Sequence, residues 1–235
     1  MSAINILWIS LTCIGSYLIG SIPFTVLFGR LFKGDDLRKH HTGNPGGFNA
    51  IRTFGLPIGL TALFLDILKG FITILVIVQI YSRPYFVNEN GSNLFFTSMC
   101  IIGPALAILG HNYSIYINFS GGQGLSVFMG ALFYVNPIVF AFYAITYILL
   151  VAVLKLSNRI AGLIVVILCI PVGLFLPLAP PWAHILNDWV AGGSGFLYVT
   201  QGLVVLAMSL VLLSSMLKNV IVKSKIGIEK MTEVG

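Results

Sequence analysis

Charge is what this sequence lacks most. Lys, Arg, Asp and Glu make up 9% of its 235 residues, against about 25% in an ordinary soluble domain. A chain this poor in charge and 57% hydrophobic cannot cover a water-facing surface, which excludes a soluble globular fold. Cysteine is equally scarce. Cys13, Cys100 and Cys169 lie far apart inside apolar runs, with no CxxC or Cys/His ligand spacing. They read as small buried hydrophobes, not as a disulfide framework or a metal site. No Gly-Lys-Ser/Thr sequence opens a phosphate loop, and a chain of apolar helices has no βαβ unit for a dinucleotide. The net charge of +6 is concentrated in short stretches between apolar runs, which excludes nucleic acid as a partner and points to membrane orientation instead.

What is present is a series of long apolar runs, at 4–29, 58–81, 94–110, 125–135, 138–154, 160–179 and 198–217. Most approach the ~20 residues that a hydrocarbon core of ~30 Å requires. The pattern predicts an all-α, polytopic integral membrane protein: one domain over 1–235, folded as a seven-helix transmembrane bundle in a lipid bilayer, with a short basic tail at 218–235. Residues 1–5 carry no basic residue and the first run continues to about Phe28, so it reads as a retained span, not a signal peptide. The fourth run is short and ends at Asn136-Pro137, where the chain should turn back. With seven crossings, Arg30, Lys33, Arg38, Lys39, Arg52, Lys155, Arg159, Lys218, Lys223, Lys225 and Lys230 share one side, and Arg83 alone faces the other. That asymmetry puts the N-terminus outside and the C-terminus in the cytoplasm. Reading 125–154 as a single span would move Lys155 and Arg159 outside and weaken the bias.

Two loops on the predicted cytoplasmic side are richer than plain connectors. The first runs from Leu37 to Arg52 and holds Thr42, Gly43, Asn44, Gly46, Gly47 and Asn49. Glycines let backbone N–H groups converge on an anion. Thr42, Asn44 and Asn49 add neutral polar groups, and Arg52 offers a fork suited to phosphate. A flexible loop whose charges only fix topology is the competing reading. The second loop contains Gly110-His111 and then Ser120-Gly121-Gly122-Gln123-Gly124, directly before an apolar helix. Glycines that open a helix expose its free N–H groups and positive dipole end. His111 reads either as an acid/base group or as a hydrogen-bonding helix-end histidine. Asp66 and Lys69 lie three residues apart within the second run, on one helix face where they can pair. Alone, each would cost about 2.5–3.5 kcal/mol at mid-bilayer. They read as an internal ion pair holding helices in register, or as supports beneath a polar site.

In order along the chain stand Gly20-Ser21-Ile22-Pro23-Phe24, Thr42-Gly43-Asn44 with Asn49 and Arg52, Leu65-Asp66-Ile67-Leu68-Lys69-Gly70, Gly110-His111 and the Gly121–Gly124 loop. This collinear set resembles the bacterial acyl-phosphate:glycerol-3-phosphate acyltransferase family over about residues 15–160. The resemblance implies a seven-helix enzyme of the inner, cytoplasmic cell membrane that acylates glycerol 3-phosphate from acyl phosphate and forms lysophosphatidic acid for phospholipid synthesis, without a cofactor or metal. It implies catalytic roles for Thr42, Asn44 and Arg52, substrate contacts for Asn49, His111, Gly121, Gly122, Gln123, Gly124 and Asn219, and support from Asp66 and Lys69.

The sequence also departs from that family's pattern. Thr42 replaces a serine and keeps its hydroxyl. Ser120 and Gln123 stand where the second motif has lysines, and of a C-terminal motif with His-Arg and Asn only Asn219 matches, with Lys218 beside it. No His-x4-Asp pair of the soluble-type acyltransferases exists: the fifth residues after His40, His41, His111 and His184 are Pro45, Gly46, Tyr116 and Trp189. The neutral positions leave a second reading open, a non-catalytic paralogue or an enzyme for another acceptor on the same fold. A small-anion transporter is a third, disfavoured because no two pseudo-equivalent halves are visible.

Overall fold

The computed structural model describes residues 3–81, 84–86, 94–175 and 202–216. Asn219, His184, Asp188, Arg83 and the 218–235 tail lie outside them. Among the described residues the regular structure is all helical. The helices are α1 (Ala3–Ser21), α2 (Phe24–Lys33), α3 (Gly47–Phe54), α4 (Leu56–Tyr81), α5 (Leu94–Asn112), α6 (Leu125–Val135), α7 (Pro137–Ile148), α8 (Asn158–Phe175) and α9 (Gly202–Met216). Among the described residues four stretches are long and apolar enough to cross a membrane: α1, α4, Ser98–Ile117 around α5, and α8. Leu125–Val135, Pro137–Val153 and Gly202–Met216 are apolar but shorter.

The first apolar run is not one continuous span. Helix α1 stops at Ser21, and Pro23, which has no N–H to donate, separates it from α2. The chain restarts with Leu27 donating to the Pro23 carbonyl at 2.9 Å. Arg30 and Lys33 occupy the last turn of α2, and Gly34 ends it with φ 63°, a left-handed cap that glycine adopts without a Cβ penalty. At the other interruption the chain turns at Asn136-Pro137. Helix α7 starts with Pro137, and the Asn136 side chain accepts from the N–H groups of Ile138 and Val139 at 3.0 and 3.2 Å. Two of the orphan donors at that helix start are thereby satisfied.

Polarity is distributed inside out. Ile145, Ile148 and Phe175 are 66%, 63% and 80% exposed, while Asp66, Lys69, His111 and Asn136 are buried. In water this would be an aggregating surface; against lipid tails the exposed apolar side chains cost nothing. Helix contact in such a solvent depends on close packing of small residues. Helix α1 meets α5 and α4 meets α6 in this way. A methyl group at Gly20 would lie 2.0 Å from the Ala107 carbonyl oxygen, and one at Gly130 only 1.8 Å from that of Ile67. Ile74, Val78, Val127, Phe128 and Ala131 of α4 and α6 belong to the buried core, as do Val165, Cys169, Val205 and Met208 of α8 and α9; these last two helices meet closely where an added methyl at Gly173 would lie 2.9 Å from Val205. Cys100 and Cys169 are fully buried.

Candidate active site

The first loop is built by its own ion pairs. Arg38 donates to both Asp36 oxygens, at 3.0 and 2.7 Å, and Arg30 reaches the same carboxylate at 2.8 Å. These bonds, Arg38's foremost, hold the Asp36 carboxyl well below the usual carboxylate range and raise Arg38 above its own. His40 lies 2.6 Å from Asp35 and likewise lowers that carboxyl. A further Arg38 bond, to the Ile117 carbonyl at 3.3 Å, fastens this loop to the second one. The buried Thr25 hydroxyl donates to the Pro45 carbonyl at 2.7 Å. Asn49 is buried, and its amide nitrogen donates to the carbonyls of Leu37, His40 and Asn44. It therefore pins the loop from below. Arg52, one turn along α3, is exposed and has no acidic partner among the described residues.

Beneath the second loop lies a buried polar knot. Lys69 Nζ contacts Asp66 Oδ1 at 2.7 Å, His111 Nδ1 at 2.9 Å and the Ile22 carbonyl at 2.8 Å. An ammonium group has three donors and no acceptor; this one is hydrogen-bonded to His111 and the Ile22 carbonyl and ion-paired to Asp66, whose Oδ1 has no hydrogen-bond partner. His111 Nδ1 must accept, which leaves the proton of a neutral imidazole on Nε2. That assignment follows from the hydrogen-bond network. Gly122 runs beside the ring's Nε2, where an added methyl would come within 2.4 Å. A methyl at Gly121 would lie 2.0 Å from the His111 carbonyl oxygen. Asn112 is buried beside Gly124, with neither amide atom paired. Gly124 itself has φ 81° and caps the start of α6, so the free N–H groups of that helix open at this point.

A cavity of about 940 Å³ joins these parts. Its polar wall includes Thr42, Asn44, Asn49 and Arg52 from the first loop and α3, and His111, Gln123 and Gly124 from the second. Its apolar wall comes from Met129 of α6 and Phe140, Tyr143, Ala144 and Tyr147 of α7. Of the residues expected to act together, Gly121 and Gly122 do not line this space. They are packed against His111 instead: Gly121 leaves room for its backbone carbonyl and Gly122 for its ring. Asp66 and Lys69 do not line the cavity; Lys69 contacts His111, which does. Asn219 lies outside the described residues.

Sequence reasoning misses a third contributor. Lys155, Leu156 and Ser157, before α8, and Asn158 and Arg159, in its first turn, also line the cavity. Along the chain, the two cations are legible only as orientation charges. The available signal is two cations flanking a Ser-Asn helix cap in a short loop, and nothing in the chain order says that this loop meets the first one.

A protein-family model described as glycerol-3-phosphate acyltransferase matches residues 10–222. The glycerol-3-phosphate acyltransferase of Staphylococcus aureus (strain Newman) is 36% identical over 155 residues, 66% of this chain and 74% of that protein. Those of strains bovine RF122 / ET3-1 and JH9 give the same figures. Among solved structures, the glycerol 3-phosphate form of PlsY (YgiH), an integral membrane glycerol 3-phosphate acyltransferase, aligns with a TM-score of 0.64 at 24% identity, covering 89% of this chain and 88% of that one. Its lysophosphatidic acid form gives 0.62 at 23% with the same coverage. At such identities the structural likeness speaks for the fold.

Proposed function

The chain belongs to the glycerol-3-phosphate acyltransferase family, and on that premise we propose that it moves an acyl chain from acyl phosphate to the sn-1 hydroxyl of glycerol 3-phosphate, giving lysophosphatidic acid. The observation that carries this reading is the single cavity with a polar end and an apolar wall. The polar end, with Arg52, Thr42, Asn44 and the opening of α6, suits phosphate groups. Met129, Phe140 and Tyr143 along α6 and α7 suit an acyl chain.

In the reaction the acceptor oxygen attacks the acyl carbon, the new ester C–O bond forms, and the bond to the phosphate oxygen breaks. The released phosphate carries the electron pair away and, in the net balance, takes the hydroxyl proton. The developing oxyanion calls for N–H donors, which the start of α6 and the glycine-rich loops can offer. His111 is poised as a donor, since its Nδ1 is occupied by Lys69; a role as general base does not fit that tautomer. Arg52, Thr42 and Asn44 are the proposed catalytic residues. Gln123, Gly124 and Asn219 are proposed substrate contacts, and Gly121, Gly122, Asn49, Asp66 and Lys69 shape the loops around them.

The proposed topology is a single domain with seven crossings, an outer N-terminus and a cytoplasmic C-terminal tail, in the bacterial inner membrane. Co-location of 42–52, 111–126 and 155–160 around one cavity supports putting those three loops on one side, as the distribution of basic residues requires.

The test is to supply the purified, detergent-solubilised protein with acyl phosphate and glycerol 3-phosphate and follow lysophosphatidate and free phosphate. Turnover that Arg52→Ala lowers at least tenfold is expected. Absence of turnover from folded, monodisperse wild-type protein would overturn the reading in favour of another acceptor or a non-catalytic role, which the neutral Ser120 and Gln123 make the natural second choice.

A further inference from the structure

The junction of α7 and α8, from Leu149 to Arg159 in the first turn of α8, has three features that an orientation signal does not need. First, its two cations, Lys155 and Arg159, line the same cavity as Arg52. None of the three has an acidic partner among the described residues, and no carboxylate lines the space. Second, Arg159 Nε is buried without a hydrogen-bond partner, a state native proteins rarely leave unexplained. Third, the backbone is held in an unusual path. Residues Leu149–Val153 form a π-helical turn and Lys155 has φ 52°. Both departures recur at functional sites, where the surroundings fix a conformation the chain would not choose. Ser157, by contrast, spends its hydroxyl on the start of α8, accepting from the Ile160 N–H at 3.4 Å.

The second loop adds only neutral side chains beside His111 to the polar wall, Gln123 among them. We propose that Lys155 and Arg159 form a second anion subsite, in the cavity that Arg52 also lines, that binds the phosphate of one of the two substrates. This rests on the acyl-transfer reading, in which two phosphate groups must occupy one cavity at once. A lone Arg52 cannot neutralise both. Two further cations without local counter-ions can.

The experiment measures kcat and KM separately for acyl phosphate and for glycerol 3-phosphate. The variants are Lys155→Gln, Arg159→Gln, the double variant, and Lys155→Arg/Arg159→Lys as the conservative rescue. Lys33→Ala/Lys39→Ala removes the same charge from exposed sites off the cavity. The melting temperature with and without inorganic phosphate is read on each. Each single loss is expected to raise KM for one substrate by about tenfold, with the larger part restored in the conservative variant. The substrate whose KM rises identifies which phosphate is held. The off-cavity control is expected to match wild type.

The proposal is overturned if KM for both substrates stays within about twofold of wild type in both single variants while Arg52→Ala lowers kcat/KM at least tenfold; the acyl-transfer reading then stands. It is also overturned if the off-cavity pair produces the same KM change. If wild type turns over neither substrate, yet phosphate raises its melting temperature and not that of the single variants, the acyl-transfer reading fails and the anion subsite survives. If neither turnover nor a variant-dependent phosphate effect is seen, both fail.

Discussion

Two groups of charge lie close together in this protein and are treated in opposite ways. Around Lys69 each donor has a partner: Asp66 at 2.7 Å, His111 at 2.9 Å and the Ile22 carbonyl at 2.8 Å. A few side chains away, Arg52, Lys155 and Arg159 line the cavity and no acid answers them among the described residues. Buried charge is tolerated in lipid surroundings only when it is paired, so the first group is architecture. Under the proposed reaction, an anionic substrate would be the counter-ion of the unanswered charge that lines the cavity. The first loop repeats the contrast on a smaller scale: Arg30 and Arg38 are consumed by Asp36, and Arg52 is left over.

The largest effect should come from breaking the paired group. Lys69→Met leaves Asp66 buried without its partner and is expected to cost about 3–5 kcal/mol of stability, read as a fall in detergent melting temperature. Adding Asp66→Asn should recover part of it. A well-tolerated single variant would show that the knot is not architectural. Next comes Arg52→Ala. A lost charge-assisted contact is worth about 1.5–3 kcal/mol, so kcat/KM should drop by roughly tenfold to a hundredfold or more. The melting temperature should hardly move. A parallel loss of stability would blur the distinction between paired and unanswered charge.

Gly122→Ala probes the boundary between the two groups. The added methyl would meet His111 Nε2 at 2.4 Å, and overpacking of this kind costs about 1–3 kcal/mol. Both melting temperature and turnover should suffer, because the displaced ring belongs to the knot and to the cavity wall together. The smallest effect is that of pH on the first loop. Arg38, and then Arg30, lower the Asp36 carboxyl in the folded state. A depressed carboxylate contributes stability above its unfolded value of about 3.9 and loses it as pH falls towards the folded one. Surface pairs of this sort contribute about 1 kcal/mol or less. Stability should therefore be insensitive to this group from pH 7 to about 5 and decline below about 4. Asp36→Asn should flatten that part of the profile.

Much of the site is legible in the chain itself. Thr42, Asn44, Arg52, His111, Gln123 and Gly124 combine polar groups, a lone cation and glycines in loops between apolar runs, and all six line one cavity. Asn49 is legible as polar but not as a clamp, because its three carbonyl partners at Leu37, His40 and Asn44 exist only once the loop has closed. Gly121 and Gly122 have the spacing of anion contacts. Their lack of a side chain serves His111 instead, a packing fact without trace in the local sequence. The break after Ser21 is announced by Pro23, yet the apolar run continues through it, since hydropathy alone does not register a missing N–H.

The sequence by itself determined the solvent of this protein. So little charge leaves no soluble alternative, and in lipid the backbone must satisfy its own hydrogen bonds, which leaves helices for runs of this length. It also determined which residue types were available for chemistry, since so few polar groups interrupt those runs. The tertiary structure decided which of them work together. Whether a cation is spent on a neighbouring carboxylate, as Arg38 is, or left facing a cavity, as Lys155 and Arg159 are, depends on distances between loops more than a hundred residues apart. Those distances are set by how α4, α6, α7 and α8 pack, and no local pattern along the chain encodes them.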